Sequence, residues 1–465
     1  MLPYSFPGHA LAFLRNSEEV LATGKKYFGC TNHPFALNLG GSIFYAIFNP
    51  VDVAAVFNAG PKLSFDGFLH GIMAEFGSSQ TAIQKVLNVP DESQLGLSPR
   101  QSVSELAHHF QVKQTSGSEL KLLIQHIVCF FQENLLLEGL KNHTSPSFYV
   151  DCDGEKCVSL KYWTAEVFIH AGQNAYFGDE LLKIDPTLPQ VLMRMDELSW
   201  QIFYRYPWFL RPELNRLTSR LRSTLHQYLK LPKHQRKSVA WFTQFLESEY
   251  RRVGLDDEDI AAQMLFLYWG INTNVSKVGY WMMAHIAFDP SLAEIVREET
   301  EPAFQEDESL DVEYLANACP RLNCLWLEVL RLSASSTTLR YITEDQELGN
   351  YLLRKGRALM ISARQLHHDE TAFGEDAHLF KPDRFLKSPK LQRSYCFRPF
   401  GGGKTLCPGR HLAKWMVLSF IAIVFRRYDV DLAKPQKFPR YQENKPAIGI
   451  ISGCDDVFLR LKARK

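Results

Sequence analysis

A glycine-rich turn that carries a cysteine, followed by a long apolar stretch, constrains this chain more than any other segment. The run Phe400-Gly-Gly-Gly-Lys-Thr-Leu-Cys407-Pro-Gly-Arg410 precedes Ala413 to Arg426, whose apolar pattern predicts a helix. The first turn of a helix offers unpaired N–H groups and the positive end of the macrodipole, which stabilise a thiolate. Three residues without Cβ atoms would let a flat, bulky cofactor approach the main chain. We therefore predict a ligand-binding thiolate at Cys407; the alternative is a buried free cysteine beside a turn.

The spacing Phe-x-x-Gly-x-x-x-Cys-x-Gly, met by Phe400, Gly403, Cys407 and Gly409, resembles the haem-binding loop of the cytochrome P450 family. The resemblance implies haem b (iron protoporphyrin IX) as cofactor, with Cys407 as the axial thiolate ligand and metal-binding residue. Phe400 and Gly403 would be cofactor-binding residues of the same loop. The family usually has an arginine two residues before the cysteine, where this chain has Thr405, so the propionate contact of this loop stays open.

An acid and a base three residues apart in an apolar segment support that resemblance. Glu328 and Arg331 lie in Cys324-Leu-Trp-Leu-Glu-Val-Leu-Arg-Leu, and on a helix they share a face. Such a pair is commonly exposed and weak, but apolar neighbours favour burial, where both charges need full partnership. In the family, this pair and the arginine of a Pro-x-Arg-Phe segment, here Arg384, form a buried cluster behind the haem loop. We expect these three residues to support the segment that carries Cys407.

Arg340 follows on a predicted strand, where family members commonly place an arginine that pairs with a haem propionate. The planar guanidinium can hold a carboxylate with two hydrogen bonds. The resemblance therefore implies a cofactor-binding role for Arg340. The alternative is an arginine on the surface of a strand.

A predicted helix of about thirty residues begins at Asp256 and contains the polar cluster around Trp269-Gly270-Ile271-Asn272-Thr273. By itself the cluster indicates a bend in the helix. Next to the cysteine loop it resembles the family's oxygen-activating segment, with Thr273 and Asn272 as candidate catalytic residues. An amide is not an ordinary proton donor at neutral pH, so protons would come through water or substrate, or be unnecessary. Asn272 and the Cys-Pro-Gly-Arg run are typical of the branch that contains the bile-acid sterol hydroxylases and prostacyclin synthase.

The rest of the chain predicts a large intracellular enzyme. Hydrophobic residues make up 46% of the 465 residues, and 52 Lys and Arg balance 51 Asp and Glu, so the net charge does not favour nucleic acid. Nine irregularly spaced cysteines are typical of a reduced protein rather than a disulfide framework. Cys152 and Cys157 lack the spacing and neighbours of a zinc site.

Glycine turns and proline breaks indicate one mainly helical domain over residues 1–465. Strands are predicted at 35–39 and 43–48 around Gly40-Gly41, in a patch over 338–363, and near 448–451 and 457–461; residues 101–333 are mostly helical. We therefore predict a mainly α fold with minor β sheets (α+β), the β-rich part coming from about 30–60 and 338–363. This is the cytochrome P450 fold that the resemblance implies.

The N-terminal residues of this sequence predict neither a signal peptide nor a membrane helix. The longest apolar run of the predicted long helix, Met264 to Ile271, is shorter than the ~20 residues that span a bilayer. Microsomal members of the family carry an anchor followed by a proline-rich hinge, which residues 3–8 resemble. We expect that an anchor is missing here. The chain as given would be soluble, and the native protein would lie on the cytoplasmic face of the endoplasmic reticulum membrane.

The resemblance implies a haem-thiolate monooxygenase that inserts oxygen into a lipophilic small molecule such as a terpenoid, steroid or other natural product. The implied electron donor is NADPH cytochrome P450 reductase. The alternatives are a reductase-independent isomerase or dehydratase that acts on a peroxide, and a non-catalytic haem carrier or sensor. Candidate reductase contacts are Lys404, Arg410, Lys414, Arg426 and Arg427. Candidate substrate contacts are Phe65–Phe76, Trp269, Ser335–Thr338 and Ile448–Ile451.

Overall fold

The computed structural model describes residues 8–88, 102–135, 149–152 and 155–464. The segment 3–8, interpreted above as a hinge, lies outside these ranges except for Gly8. Within the described ranges, no helix combines the length and the apolar character needed to cross a bilayer.

The chain divides into two compact units. The first contains the described residues up to Phe68 together with Pro320–Cys407 and Pro439–Asp455. The second contains the described residues of Leu69–Cys319, Pro408–Phe438 and Asp456–Lys465. The single-domain interpretation of residues 1–465 stays a prediction.

The first unit combines a mixed sheet with short helices. Its five-stranded sheet has the order Phe35–Leu39, Ser42–Ala46, Ala358–Ser362, Thr337–Ile342, Leu63–Ser64, and a hairpin joins Gln346–Leu348 to Tyr351–Leu353. Its helices are Ala10–Arg15, Ser17–Tyr27, Pro50–Asn58, Pro320–Ser333, Ala363–His367, Glu370–Phe373 and Asp383–Lys387. Its 3₁₀ turns are Gly60–Lys62, Pro389–Arg393 and Gly403–Thr405.

The predicted Gly40-Gly41 hairpin is confirmed. Both glycines have positive φ, +63° and +92°, which the tight turn requires, and Leu39 pairs with Ser42. Ser42–Ala46 then pairs in parallel with Ala358–Ser362, so strands that are far apart in sequence meet in one sheet. The prediction near 448–451 is wrong in detail, because Ile450 makes only an isolated bridge to Ala334 instead of belonging to a regular strand.

The second unit is mainly helical. Its helices are Gln80–Leu87, Val103–Gln114, Gly117–Asn134, Leu160–Phe177, Glu180–Ile184, Leu188–Leu198, Trp200–Phe203, Pro212–Lys230, Trp241–Arg252, Asp257–Phe288, Pro290–Thr300, Val312–Ala318 and Arg410–Arg427. Trp208–Leu210 and Glu301–Ala303 are 3₁₀ turns. The helix Asp66–Glu75 begins in the last residues of the first unit and continues into the second. A four-stranded antiparallel sheet has the order Tyr428–Leu432, Phe458–Ala463, Glu155–Ser159, Tyr149–Cys152. The prediction that residues 101–333 are mostly helical missed this hairpin at 149–159.

The helix Asp257–Phe288, 32 residues long, forms the centre of the second unit. It begins where predicted, because the Asp256 carboxylate accepts a hydrogen bond from the N–H of Asp259 (2.9 Å) and caps the first turn. Leu160–Phe177 and Pro212–Lys230 pack along it. Most of its side chains are buried, which makes the few exposed positions informative about the site.

Candidate active site

The cysteine segment of the first unit is a closed loop. The N–H of Cys407 donates to the carbonyl of Phe400 (3.0 Å), and the N–H of Leu406 donates to the carbonyl of Gly403 (3.1 Å). These bonds draw the two ends of the glycine run together and fix the backbone of the cysteine. Cys407 is partly exposed, whereas Cys396 of the same unit is buried. The loop therefore presents the sulfur-bearing residue at an accessible position.

The glycines of this loop are required by packing within the protein. Gly401 and Gly403 have φ of +75° and +58°. A Cβ atom on Gly403 would lie 2.0 Å from the carbonyl oxygen of Phe57, and one on Gly402 would lie 3.0 Å from the Phe57 ring. The loop thus packs on the helix Pro50–Asn58, an observation that sequence spacing did not indicate.

Arg340 lies beside the loop as a buried cation. It is 4% exposed, and burial lowers the pKa of its guanidinium to about 10. The group lies over the rings of Phe57 (5.5 Å) and Phe65 (4.9 Å). Among the described residues, no carboxylate lies within salt-bridge distance of Arg340. A buried arginine without an anionic partner among the described residues fits a site for the carboxylate of a bound group, such as a haem propionate.

Thr405, at the loop position where the family usually has an arginine, contacts Arg340. Its hydroxyl accepts a hydrogen bond from Nη2 of Arg340 (2.5 Å) and donates to the carbonyl of Gly402 (3.1 Å). A guanidinium from the strand Thr337–Ile342 therefore contacts the loop residue that stands where the family usually has an arginine.

Glu328 and Arg331 form a fully buried ion pair, as the sequence predicted. Both side chains are 0% exposed, and two hydrogen bonds of 2.8 and 2.7 Å join them. The remaining N–H groups of Arg331 donate to the carbonyls of His367 (2.9 Å), Ala377 (2.5 Å) and Leu379 (3.1 Å). All five donors of the guanidinium are satisfied, which is the condition under which a buried charge is tolerated.

Arg384 completes this cluster, also as predicted. Its Nε contacts the Glu328 carboxylate (3.4 Å), and its Nη1 binds the Asp376 carboxylate (2.7 Å). The N–H of Lys381 donates to the same oxygen of Glu328 (2.9 Å). Hydrogen bonds from Lys381 and Arg384 lower the pKa of Asp376 to about 2, so this carboxylate is ionised at neutral pH.

His367 links the charged cluster to the cysteine segment and was missed in the sequence. Its Nδ1–H donates to the carbonyl of Arg331 (3.0 Å), and its Nε2 accepts from the N–H of Arg398, two residues before Phe400 (2.9 Å). Burial lowers the pKa of this imidazole to about 3, so the neutral tautomer that both bonds require is maintained. The only available signal was a histidine 36 residues after Arg331 in sequence, which does not indicate a contact.

The long helix of the second unit has one open position in its middle. Gly270 is exposed although its neighbours Trp269 and Asn272 are buried, and a Cβ atom placed on it would have no heavy atom within 4 Å. Phe266 and Asn274, one turn away on either side, are partly exposed on the same face. This face of the helix therefore borders open space.

Thr273 and Asn272 make different contacts. The Thr273 hydroxyl donates to the carbonyl of Trp269 (3.0 Å), a back-bond within the helix. Asn272 lies about 200° around the axis from Gly270. Its Nδ2 donates to the carbonyl of Tyr268 (2.8 Å), and its Oδ1 lies 2.2 Å from where a Cβ atom of Gly172 would be. The catalytic assignment of Asn272 stays a prediction, but its amide points at the helix Leu160–Phe177 and away from the open face.

Trp269, a predicted substrate contact, is 6% exposed and lies in an aromatic cluster. Its ring lies 5.7 Å from that of Phe76 and 6.2 Å from that of Phe203, and its Nε1–H donates to Asp196 (3.1 Å). Phe65 contacts Arg340, and Ser335 N–H donates to the carbonyl of Gly449 (2.7 Å) within the first unit.

Some of the predicted basic contacts are engaged inside the protein. Arg426 pairs with Glu301 (2.5 Å) and Glu308 (2.9 Å). The ammonium of Lys414 donates to the carbonyl of Ala316 (3.1 Å), and burial lowers its pKa. These two residues are therefore weaker candidates for a docking surface than Lys404, which is exposed.

Comparison with known proteins agrees with this geometry. The family model "Cytochrome P450" matches residues 159–453, more than half of the chain. The cytochrome P450 monooxygenase poxD of Penicillium oxalicum is 24% identical over 95% of this chain and 90% of its own length. Cytochrome P450 7A1 of Sus scrofa is 24% identical over 100% of this chain and 92% of its own. The 5-beta-cholestane-3-alpha,7-alpha-diol 12-alpha-hydroxylase of the same species is 26% identical over 98% and 91%.

The fold and the matched family define a haem-dependent oxidoreductase with a mainly helical α+β architecture. The chain belongs to the cytochrome P450 family, as a monooxygenase-type enzyme related to the bile-acid sterol hydroxylases. The recognition made from the cysteine loop and the predicted fold class are both confirmed. The family implies a haem iron with a cysteine thiolate ligand.

Proposed function

We propose that this protein is a monooxygenase that inserts one oxygen atom into a lipophilic small molecule of the sterol or terpenoid type. The observation that carries the proposal is the pairing of a closed, partly exposed Cys407 loop with Arg340, a buried cation that has no carboxylate partner among the described residues. The sterol class is supported by the similarity to the porcine 5-beta-cholestane-3-alpha,7-alpha-diol 12-alpha-hydroxylase. The fungal relative, named only as a monooxygenase, supports the reaction.

The residues of the first unit would hold the cofactor. Cys407 would bind the iron through its thiolate, Arg340 would pair with a propionate, and Phe400 and Gly403 would shape the loop. Thiolate-bound haem supplies oxygen activation and transfer of one oxygen atom to the substrate. The cluster of Glu328, Arg331 and Arg384, with His367, holds the loop in place, so that the cysteine is fixed before the cofactor binds.

Thr273, which is 3% exposed, would act beside the open face of the long helix. Its hydroxyl can donate and accept hydrogen bonds, so it can orient an ordered water and hold or pass on a proton at Oγ1. Its present bond to the carbonyl of Trp269 orients the oxygen atom and leaves its lone pairs available. Gly270 leaves space next to it for small ligands.

Electrons would come from NADPH cytochrome P450 reductase, with Lys404 and Arg410, on either side of Cys407 in sequence, as candidate contacts. We further propose that the native protein works on the cytoplasmic face of the endoplasmic reticulum membrane.

A second candidate function is a reductase-independent isomerase or dehydratase that acts on a peroxide. It is favoured by Asn272, which stands where the family usually has a proton-donating acid.

The test is product analysis with the purified holoenzyme and 5β-cholestane-3α,7α-diol, the sterol named in the porcine relative, together with a panel of terpenoids. We expect an oxygenated product that requires both NADPH and the reductase. A product formed from a lipid hydroperoxide without NADPH, and none with NADPH, would favour the isomerase and contradict the monooxygenase.

A further inference from the structure

Asp196 on the helix Leu188–Leu198 places a carboxylate against the middle of the long helix. Its Oδ1 accepts a hydrogen bond from Nε1–H of Trp269 (3.1 Å), and its Oδ2 pairs with the ammonium of Lys277 (2.7 Å). The side chains of Asp196 and Lys277 are 10% and 21% exposed. This is a largely buried ion pair that also holds an indole.

The two anchors of Asp196 lie on either side of Thr273. Trp269, Thr273 and Lys277 follow one another at intervals of four residues, so they form one stripe along the helix with steps of about 6 Å. Trp269 is also the residue whose carbonyl accepts the hydrogen bond of the Thr273 hydroxyl. A carboxylate that binds both ends of this stripe lies alongside the turn that carries Thr273.

The same turn lacks a carboxylate of its own. Asn272 occupies the position of the usual acid, and its amide faces Gly172 on another helix. Along this stripe, the structure pairs one acid with one base: the carboxylate of Asp196 and the ammonium of Lys277. The neighbouring carboxylate of Glu197 is directed elsewhere, to Lys161 (2.9 Å) and Arg194 (2.9 Å).

We propose that Asp196, with Lys277, supplies protons to the Thr273 hydroxyl and so replaces the carboxylate that position 272 lacks; this inference rests on the proposed monooxygenase function. Asp196 is a positioning residue, because it acts through Thr273 and a water molecule. Lys277, the more exposed partner, connects it to solvent.

The proton balance is simple. Monooxygenation reduces one oxygen atom of dioxygen to water and therefore consumes protons. Asp196 Oδ2 takes a proton from Lys277 Nζ and passes it to a water that is hydrogen-bonded to Thr273 Oγ1. Lys277 then regains a proton from solvent, so both groups return to their starting states. The relay itself needs no oxidant or reductant.

A purely structural ion pair would have the same geometry, so the test must preserve the packing and remove only the titratable groups. The double variant Asp196→Asn/Lys277→Gln does this, since the new amides can hydrogen-bond to each other and to Trp269. Glu197→Gln is the matched control, one residue away in the same helix. Asp196→Glu is the conservative variant that should rescue proton supply.

Each holoenzyme is reduced by NADPH and reductase, with 5β-cholestane-3α,7α-diol and with no sterol. Hydrogen peroxide released per NADPH and the solvent deuterium isotope effect are measured. The thermal unfolding midpoint and the carbon monoxide difference spectrum report on structure. In the double variant we expect peroxide release to rise and sterol product per NADPH to fall by about tenfold or more, with unchanged spectrum and midpoint. Glu197→Gln should behave as the wild type, and Asp196→Glu should restore most of the coupling.

If the double variant does not fold, Lys277→Met keeps the bond between Asp196 and Trp269 and removes only the proton donor, and we expect the same rise in peroxide. A folded variant with wild-type coupling and a wild-type isotope effect would overturn the proposed role of Asp196 and leave the proposed monooxygenase function unaffected. A wild-type enzyme without a thiolate-type spectrum, or without NADPH oxidation, would instead overturn the proposed function and this relay with it.

Discussion

At the scale of single residues, the site depends on polar groups whose hydrogen bonds are complete. Arg331 uses every donor of its guanidinium, and His367 uses both ring nitrogens. Because a buried donor or acceptor without a partner costs about 1–3 kcal/mol, small changes at these residues should have large effects.

Arg331→Lys keeps the charge and removes the planar fork. An ammonium has only three donors, so carbonyls of His367, Ala377 and Leu379 would lose partners. We expect a loss of at least about 3 kcal/mol in the free energy of unfolding, measured by urea denaturation of the holoprotein. Lys183→Ala, which breaks a pair between the exposed Lys183 and Glu180, should leave it almost unchanged. Equal losses in the two variants would contradict the assignment of Arg331 as a buried cation whose hydrogen bonds stabilise the fold.

His367 should make the protein sensitive to acid. Its pKa is about 3 in the folded protein and has an ordinary value of 6.5. Between these values the unfolded chain binds more protons than the folded protein. The contribution of His367 to the free energy of unfolding is therefore complete above pH 6.5 and falls as the pH drops towards 3. At pH 5 the loss is about 2 kcal/mol, since each pKa unit is worth about 1.4 kcal/mol.

The variant His367→Gln tests this pH dependence, because an amide can make both hydrogen bonds but does not titrate. The free energy of unfolding should depend less on pH between 7 and 5 in the variant than in the wild type. His285 and His368, whose pKa values are also lowered to about 3, contribute equally to both proteins. Replacement of the exposed His234 by Gln is the control and should leave the slope unchanged. If the free energy of unfolding depends on pH equally in His367→Gln and in the wild type, His367 is not the source of the acid sensitivity.

At the scale of elements, the long helix has two different faces. The side of Asn272 packs on the helix Leu160–Phe177, where Gly172 allows close approach, and the side of Gly270 borders open space. A glycine-to-alanine change on each side therefore separates a packing role from a ligand-facing role.

Gly172→Ala would place a Cβ atom 2.2 Å from Oδ1 of Asn272 and 4.0 Å from the carbonyl oxygen of Ile271. The amide must rotate and lose its bond to Tyr268, so we expect a net destabilisation of about 1–2 kcal/mol after the gain in helix propensity. Gly270→Ala meets no atom within 4 Å and should stabilise the helix by up to about 1 kcal/mol.

The activities of the two variants complete this comparison. Gly270→Ala should lower NADPH-dependent oxygenation despite its stability, because its methyl group occupies the space beside Thr273. Thermal unfolding and product formation are measured on both holoenzymes. A stable Gly270→Ala enzyme with full activity would show that this face is not the ligand side.

At the scale of the whole molecule, the sequence predicted what depends on short spacing. The cysteine loop, the Glu328–Arg331 pair and the cap at Asp256 each occupy a few consecutive residues whose chemistry has few alternatives. The contacts of His367 with Arg398, and of Asp196 with Trp269 and Lys277, could not be predicted, because they join segments that only the tertiary fold brings together. The direction of the Asn272 side chain depends on which side of the long, mostly buried helix is open. The sequence of this helix is apolar nearly all round, so it does not indicate that side.

The central claim, that Cys407 is the thiolate ligand of a haem iron, is tested most directly by the carbon monoxide difference spectrum of the dithionite-reduced protein. We predict a Soret band at the red-shifted position of thiolate-ligated haem in the wild type and in Cys396→Ser, a matched change at a buried cysteine of the same unit. Cys407→Ser should lose this band. A wild-type band without the shift, or a shifted band that persists in Cys407→Ser, would contradict the account.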